Sequence, residues 1–202
     1  RSSDLLTSVL ADGERYGRIV RNRDGMVEKI VEAKDCSAEE LAIKEINTGI
    51  FCFKTSKLFD GLKEITTNNA QNEYYLTDLV EIFHKHNEKV NAMIVDDAEE
   101  TMGVNDRVDL AKANSWMKKH INHKHMLNGV TILDPDNTYI DADVEIGEDT
   151  TIYPNVHLQG NTKIGSHVTI LPNSFLRNAL IEDGVTIDSS KIVESKVGAK
   201  IG

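Results

Sequence analysis

The sequence predicts an α/β layer joined to a hexapeptide β-helix, and three observations predict it. An aliphatic residue returns at every sixth position from Ile140 to Leu176, through Ile146, Ile152, Leu158, Ile164 and Ile170. Ahead of that repeat, strand-like and helix-like segments alternate over residues 1 to about 125, the pattern of an α/β layer structure. Between the two lies a stretch, Val104 to Asn128, with no Gly or Pro and with Leu110, Ala113, Met117 and Ile121 at helical spacing.

In the first part, Arg15 to Arg21 alternates as a strand, Asp24-Gly25 supplies a turn, and Met26 to Lys34 reads as the returning strand. Ser37 with Glu40 forms a capping box for a short helix ending near Lys44. Ile46 to Phe53 is apolar and β-rich, which places a buried strand there. Thr55 to Ile65 and Thr77 to His86 read as helices, and Lys89 to Val95 as another strand. Parallel-strand candidates are too few to close a doubly wound sheet, and no Gly-rich phosphate loop is found.

In the second part, four residues after each aliphatic position stand Val144, Thr150, Val156, Thr162, Val168, Ser174 and Leu180, mostly small or β-branched. Two inward positions per six residues, with Gly, Asp, Asn and Pro between, describe short strands stacked coil on coil. The phase slips once, from Leu176 to Ile181, where a corner adjustment is expected, and resumes at Ile187 and Val193. It is still running at Val197 and Ile201 with no polar cap, and the chain starts at Arg1, so a fragment of a larger protein is expected.

Composition bounds the function. The 202 residues carry 40% hydrophobic and 28% charged residues and a net charge of −10. Nucleic acids and anionic membranes require a basic face, so neither is an expected partner. The longest apolar runs, of about four or five residues, fall far below the roughly 18 that span a bilayer. Cys36 and Cys52 are too few for a disulfide framework, read as small apolar fillers, and point to a reducing cytoplasm.

Candidate polar residues sit where strands end. Glu32 closes the second hairpin strand, Asn47 lies near the start of INTG, and Asn105 in GVNDR precedes the long helix. A carboxylate can accept paired sugar hydroxyls, and an Asn amide offers one acceptor and two donors. Each has a plainer reading as well: a solvated strand end, a turn residue and an N-cap. His120, His123 and His125 do not share an i, i+4 face, and Lys118, Lys119 and Lys124 beside them mark a solvated surface rather than a metal cluster. His157 and His167 fall at turn or outward-facing positions of the repeat.

YGRI (Tyr16 to Ile19), IVEAKD (Ile30 to Asp35), EINTGI (Glu45 to Ile50), NNAQNEYYLTD (Asn68 to Asp78) and GVNDR (Gly103 to Arg107) occur in that order ahead of the repeat. Together they resemble the bacterial bifunctional family that is both N-acetylglucosamine-1-phosphate uridyltransferase and glucosamine-1-phosphate N-acetyltransferase. The resemblance implies an N-terminally incomplete, Rossmann-like nucleotidyltransferase domain with its linker helix over 1–128, then the start of a left-handed parallel β-helix over 129–202. It further implies that Gly17, Glu32, Asn47, Tyr75 and Thr77 line an N-acetylglucosamine pocket. Asn105 is expected to contact the same sugar nucleotide and to ligate Mg²⁺ together with an upstream Asp. Implied substrates are UTP, N-acetylglucosamine-1-phosphate and glucosamine-1-phosphate, with acetyl-CoA as cosubstrate, in a cytoplasmic homotrimer. The family's triphosphate loop and its acetyl-transfer residues have no counterpart here, so this chain alone is expected to catalyse neither reaction. Other readings are another β-helix-tailed sugar-phosphate nucleotidyltransferase and a non-catalytic oligomerisation module.

Overall fold

In the computed structural model, residues 3–13 and 15–198 are described; Ile201 of the repeat lies outside them. The chain forms two compact units, Arg1–Gly103 and Val104–Gly202. From the sequence the boundary is expected after the long helix, at 128; the compact units divide before it.

The first unit is a mixed five-stranded sheet built from β1 (Ser3–Val9), β2 (Arg18–Arg21), β3 (Val27–Val31), β4 (Glu45–Phe53) and β5 (Val90–Ile94), in the order β3-β2-β4-β1-β5. β2–β3, β2–β4 and β1–β4 are antiparallel, and β1–β5 is parallel. The hairpin, the later strand and the helices fall close to where patterning puts them. β1 had no counterpart in that reading. It forms because Leu5 buries on the core face, while Thr7 anchors the strand to Glu45 through a 2.7 Å hydrogen bond.

Three helices accompany the sheet: α1 (Ala38–Leu41), α2 (Thr55–Gly61) and α3 (Asp78–Lys85). The capping box at Ser37 and Glu40 is present in both directions, although the helix it starts is one turn long. α3 buries Leu79, Val80 and Phe83, spaced i, i+1 and i+4, into a core with Leu5, Ile19, Val27, Ile30 and Val90. Each such side chain contributes about 1.5–3 kcal/mol relative to exposure. β4 is not the buried strand that its composition suggests. Ile46 is buried, but beyond the register shift in the β1–β4 pairing Phe51 and Phe53 face the core while Ile50 and Cys52 are exposed.

The second unit opens with α4 (Arg107–Leu127), N-capped by Asp106, whose carboxylate accepts the Val108 and Asp109 amides at 2.9 Å. Helical spacing marks Leu110, Ala113, Met117 and Ile121 as its apolar seam. Leu110 and Met117 are instead exposed, and it is Ile121 and Met126 that reach the core of the solenoid. The fully buried position is polar: Asn122 donates to the Pro135 and Thr138 carbonyls at 2.8 and 3.0 Å, satisfying backbone acceptors of the first coil. His125 is also buried, against the expectation of a solvated histidine surface, and that burial, with Lys124 nearby, holds its imidazole below its ordinary pKa.

The rest of the unit is a parallel solenoid with three faces, each a four-stranded sheet. One face stacks β7 (Thr138–Ile140), β10 (Val156–Gln159), β13 (Phe175–Arg177) and β16 (Lys191–Val193). The second stacks β8 (Glu145–Ile146), β11 (Lys163–Ile164), β14 (Leu180–Ile181) and β17 (Lys196–Val197). The third stacks β6 (Thr131–Ile132), β9 (Thr151–Ile152), β12 (Thr169–Ile170) and β15 (Thr186–Ile187). This is the architecture of a left-handed hexapeptide β-helix, and the six-residue aliphatic column fills its interior.

The corner adjustment after Leu176 is real, and a second one follows. Residues stacked across coils lie 18 apart in the early coils (Asn155 and Asn173), 17 after the first slip (Thr162 and Ala179) and 16 at the next (Ser174 and Ser190). Hence Ile192, not Val193, stacks on Leu176, while Val193 pairs with Arg177. Corners are turned by residues of positive φ aligned from coil to coil, such as Asp149, His167 and Gly184, or Asn155, Asn173 and Ser189. Asn and Asp tolerate this region better than other side-chain-bearing residues. At the inner corners the buried hydroxyls of Thr150, Thr162 and Ser174 accept the amides of Val168, Ala179 and Ser190 in the following coil.

Candidate functional site

The hairpin β2–β3 sets the first contacts. Arg18 pairs with Val31, so the residues just outside that pair, Gly17 and Glu32, come side by side. A Cβ on Gly17 would stand 3.4 Å from Glu32 Oε2 and 3.2 Å from Ile30 Cγ2, so glycine leaves one side of the carboxylate uncrowded. β4 lies on the other side of β2, and the Asn47 amide donates to the Gly17 carbonyl at 2.8 Å. Thr77, on the rim of α3, donates its hydroxyl to Glu32 Oε1 at 2.9 Å. That use of Oγ1 explains why Thr77 makes no side-chain cap of its own helix. Gly17, Glu32, Asn47 and Thr77, from four separate motifs, are thus linked: Gly17 and Thr77 touch Glu32, and Asn47 bonds to Gly17.

The NTG segment owes its shape to its side chains. Asn47 Oδ1 accepts the Gly49 amide at 3.0 Å, Gly49 has φ +79°, and the Thr48 hydroxyl donates to the Leu6 carbonyl at 2.8 Å. The β1–β4 register shifts between Leu5 and Thr7 opposite this segment, the mark of a local bulge. An Asx turn therefore occupies the Asn47 carbonyl oxygen in this state, and its amide nitrogen is the donor end of the side chain.

Tyr75 belongs to a loop running from Asn69 to Thr77. Its hydroxyl accepts a hydrogen bond from Gln71 Nε2 at 2.6 Å. That bond lowers the phenol pKa, but burial, the Asp35 charge and a hydrogen bond to Asp35 outweigh it and leave Tyr75 raised. Asp78, one residue beyond Thr77, is raised by burial first and then by the carboxylates of Glu81, Glu32 and Asp35. The surroundings of Glu32 are therefore acidic, a setting suited to hydroxyl and amide donors rather than to bare phosphate.

GVNDR is divided between the units. The Gly103 amide donates to the Tyr16 hydroxyl at 2.9 Å, which ties it to YGRI within the first unit. Asn105 belongs to the second unit, exposed, one residue before the N-cap of α4, with its backbone amide 3.4 Å from Asp109 Oδ2. Its carboxamide oxygen is the kind of hard donor that Mg²⁺ takes. Among the described residues no group of three His, Cys, Asp or Glu gathers to hold a metal, so Asn105 offers one ligand and not a cage.

Three residues that matter here were not singled out from sequence: Asp35, Gln71 and Asp78. All lie inside motifs already noted, but only a folded loop shows that Asp35, three residues after Glu32, reaches Ala70. The other histidines do not form a site. His120 stacks on Trp116 at 3.8 Å between centroids, and His157 stacks outward on Tyr139 at 4.6 Å. Cys36 is half-buried with its thiol pushed up by burial, whereas Cys52 is exposed and not the filler expected.

The three-faced prism and its corner columns define the second unit as a hexapeptide-repeat solenoid, and residues 143–178 match the family model described as bacterial transferase hexapeptide (six repeats). The whole chain resembles a particular kind of protein. It is 50% identical over 197 residues to the bifunctional protein GlmU of Clostridium botulinum strain 657, 52% over 196 residues to that of Acetivibrio thermocellus, and 56% over 197 residues to that of Clostridium perfringens strain ATCC 13124. These matches cover 97–98% of this chain and 42–43% of the relatives, so the chain spans less than half the length of the curated relatives it matches. The resemblance drawn from the five motifs and the repeat is borne out over nearly all of the sequence. Among the described residues no helix is long and apolar enough to cross a membrane.

Proposed function

We propose that this chain is the central part of a bifunctional enzyme that makes UDP-N-acetylglucosamine. Its α/β unit contributes the sugar side of a uridyltransferase site, and its solenoid begins the acetyltransferase. The observation that carries the reading is that Gly17 and Thr77 lie against Glu32 and that the Asn47 backbone amide bonds to Gly17 beside them. In this reading Glu32, steadied by Thr77, accepts sugar hydroxyls on the side that Gly17 leaves open. Asn47 and Tyr75 recognise the rest of the sugar.

In uridylyl transfer the phosphate oxygen of N-acetylglucosamine-1-phosphate attacks the α-phosphate of UTP and pyrophosphate leaves. No protein nucleophile is needed, so the residues here act by positioning. Mg²⁺, when bound with Asn105 as one ligand, neutralises phosphate charge. Acetyl-CoA and glucosamine-1-phosphate are the substrates proposed for the solenoid side, and a homotrimer the proposed assembly, as hexapeptide prisms commonly adopt.

The test is UTP-dependent pyrophosphate release in a protein of the relatives' length carrying this sequence. Glu32→Gln and Asn105→Ala are each expected to lose most activity. Undiminished activity in Glu32→Gln, or a preference for a sugar phosphate lacking the acetamido group, would overturn the assignment.

A further inference from the structure

The Asn69–Thr77 loop is laced to the four residues that follow β3. Thr77 donates to Glu32 at 2.9 Å, the Ala70 amide donates to Asp35 Oδ1 at 2.7 Å, and Lys34 donates to the Gln71 side-chain carbonyl. Gln71 passes the connection on to the Tyr75 hydroxyl. Within the loop, Asn69 gathers the chain into a turn: its Oδ1 accepts the Gln71 and Glu73 amides at 3.2 Å, and its Nδ2 donates to the Glu73 carbonyl at 2.6 Å. Asn72 takes a left-handed conformation at φ 54°. The loop thus has internal shape, and its attachment to the sheet is through side chains.

Among the described residues Asp35 holds the one rung in which a charged side chain grips loop backbone. Its own amide donates to the Glu32 carbonyl at 2.8 Å, so the carboxylate is carried by the same turn that presents Glu32. Its second oxygen, Oδ2, is shielded from solvent, and the same carboxylate acts on the Tyr75 hydroxyl by its charge and by a hydrogen bond, so Asp35 meets the loop at both Ala70 and Tyr75.

We propose that Asp35 is a positioning residue for the sugar pocket: by accepting the Ala70 amide it fixes the Asn69–Thr77 loop in the shape that carries Tyr75 and Thr77. The role in the pocket rests on the function proposed above; the anchoring of the loop does not. Asp35→Asn keeps an acceptor for Ala70 but loses the charge, which weakens the bond, and Asp35→Ala removes the acceptor.

The experiment is amide hydrogen exchange on this chain, with Leu79 and Val80 in α3 as internal reference, followed by titration of N-acetylglucosamine-1-phosphate monitored at the Tyr75 and Thr77 amides. In Asp35→Ala, amides from Ala70 to Tyr75 are expected to exchange about tenfold faster, the loss of one charge-assisted hydrogen bond, with Leu79 and Val80 unchanged. Asp35→Asn is expected to fall between, with sugar-phosphate affinity following the same order. If Asp35→Ala also loosens α3, the Asn variant decides alone. Unchanged loop exchange overturns the anchor. Faster exchange with unchanged sugar-phosphate affinity overturns the positioning role and leaves the pocket standing. No response to the sugar phosphate in the unmodified chain overturns the pocket and the positioning role with it, while the exchange rates still decide the anchor.

Discussion

The Thr77 hydroxyl donates to the Glu32 carboxylate across 45 residues of sequence, at 2.9 Å, joining the start of α3 to the end of β3. Thr77 is 7% exposed, so the bond is sheltered and Glu32 is held in one orientation. Replacing Thr77 by Val keeps the shape and removes the donor. The expected result is a loss of about 1 kcal/mol in denaturant unfolding and weaker binding of N-acetylglucosamine-1-phosphate, both restored in Thr77→Ser. Binding by Thr77→Val that equals the unmodified chain would show that Glu32 needs no orienting partner.

Glu45 ties three strands through Arg21 and Thr7. Arg21 grips both of its oxygens, at 2.6 and 2.7 Å. Burial pushes the Glu45 carboxyl up, but the bonds from Arg21 and Thr7 and the Arg21 charge outweigh it and hold the folded pKa below the ordinary value. A depressed folded pKa means the unfolded chain binds the proton more tightly. The stabilisation is therefore full above the unfolded pKa of about 4.3 and is lost as pH falls through the lower folded value. Glu45→Gln should lower stability at neutral pH and flatten its dependence on acid, as read from urea midpoints at a series of pH values.

His125 predicts a slope in the neighbouring range. Burial, then the Lys124 charge, depresses its folded pKa, so the unfolded state takes up the proton first. Stability of the second unit is full above the unfolded value of about 6.5 and falls as pH drops through it toward the folded pKa. His125→Leu should remove this slope and spare the solenoid at mildly acid pH, which a pH series of thermal melts would measure. An unchanged slope would assign the titration to another group.

Gly147 sits where successive coils touch. A Cβ there would lie 2.6 Å from the Gly165 carbonyl carbon and the Ser166 amide nitrogen, both backbone atoms of the next coil. Gly147→Ala must push the coils apart and is expected to cost about 1–3 kcal/mol. Gly184→Ala meets open space at φ +69° and should cost about 1–2 kcal/mol through backbone strain. Melting of the two variants side by side separates crowding from strain.

The solenoid was legible because its order is local. The six-residue period states directly which side chains point inward, and Ile152, Leu158, Ile170 and Leu176 are fully buried as the period requires. The second slip escaped because Ile192 and Val193 are both aliphatic, and only pairing with Leu176 and Arg177 distinguishes them. β1 escaped because Leu5 and Leu6 stand together without alternation, and the strand is defined by partners far along the chain. Helical spacing failed on α4 because it assumes that the buried stripe is apolar, whereas carbonyls of the first coil select Asn122. Glu32, Gly17, Asn47 and Thr77 could each be named from motifs. That Thr77 spends its hydroxyl on Glu32, and that Asp35 holds Ala70, required the fold.

The parallel pairing of β1 with β5 also sets an order of events. Asn91 meets Asp4 across 87 residues, so β1 gains β5 as its neighbour only after nearly all of the first unit has been made. Each coil of the solenoid finds its partner about 16–18 residues later. Closing the long loop costs more chain entropy, and topologies rich in such distant contacts fold slowly. During synthesis on the ribosome β1 therefore waits for residues 90 to 94 before it can pair with β5, whereas the coils, which emerge later, can zip up one after another, each within a few residues of its own completion.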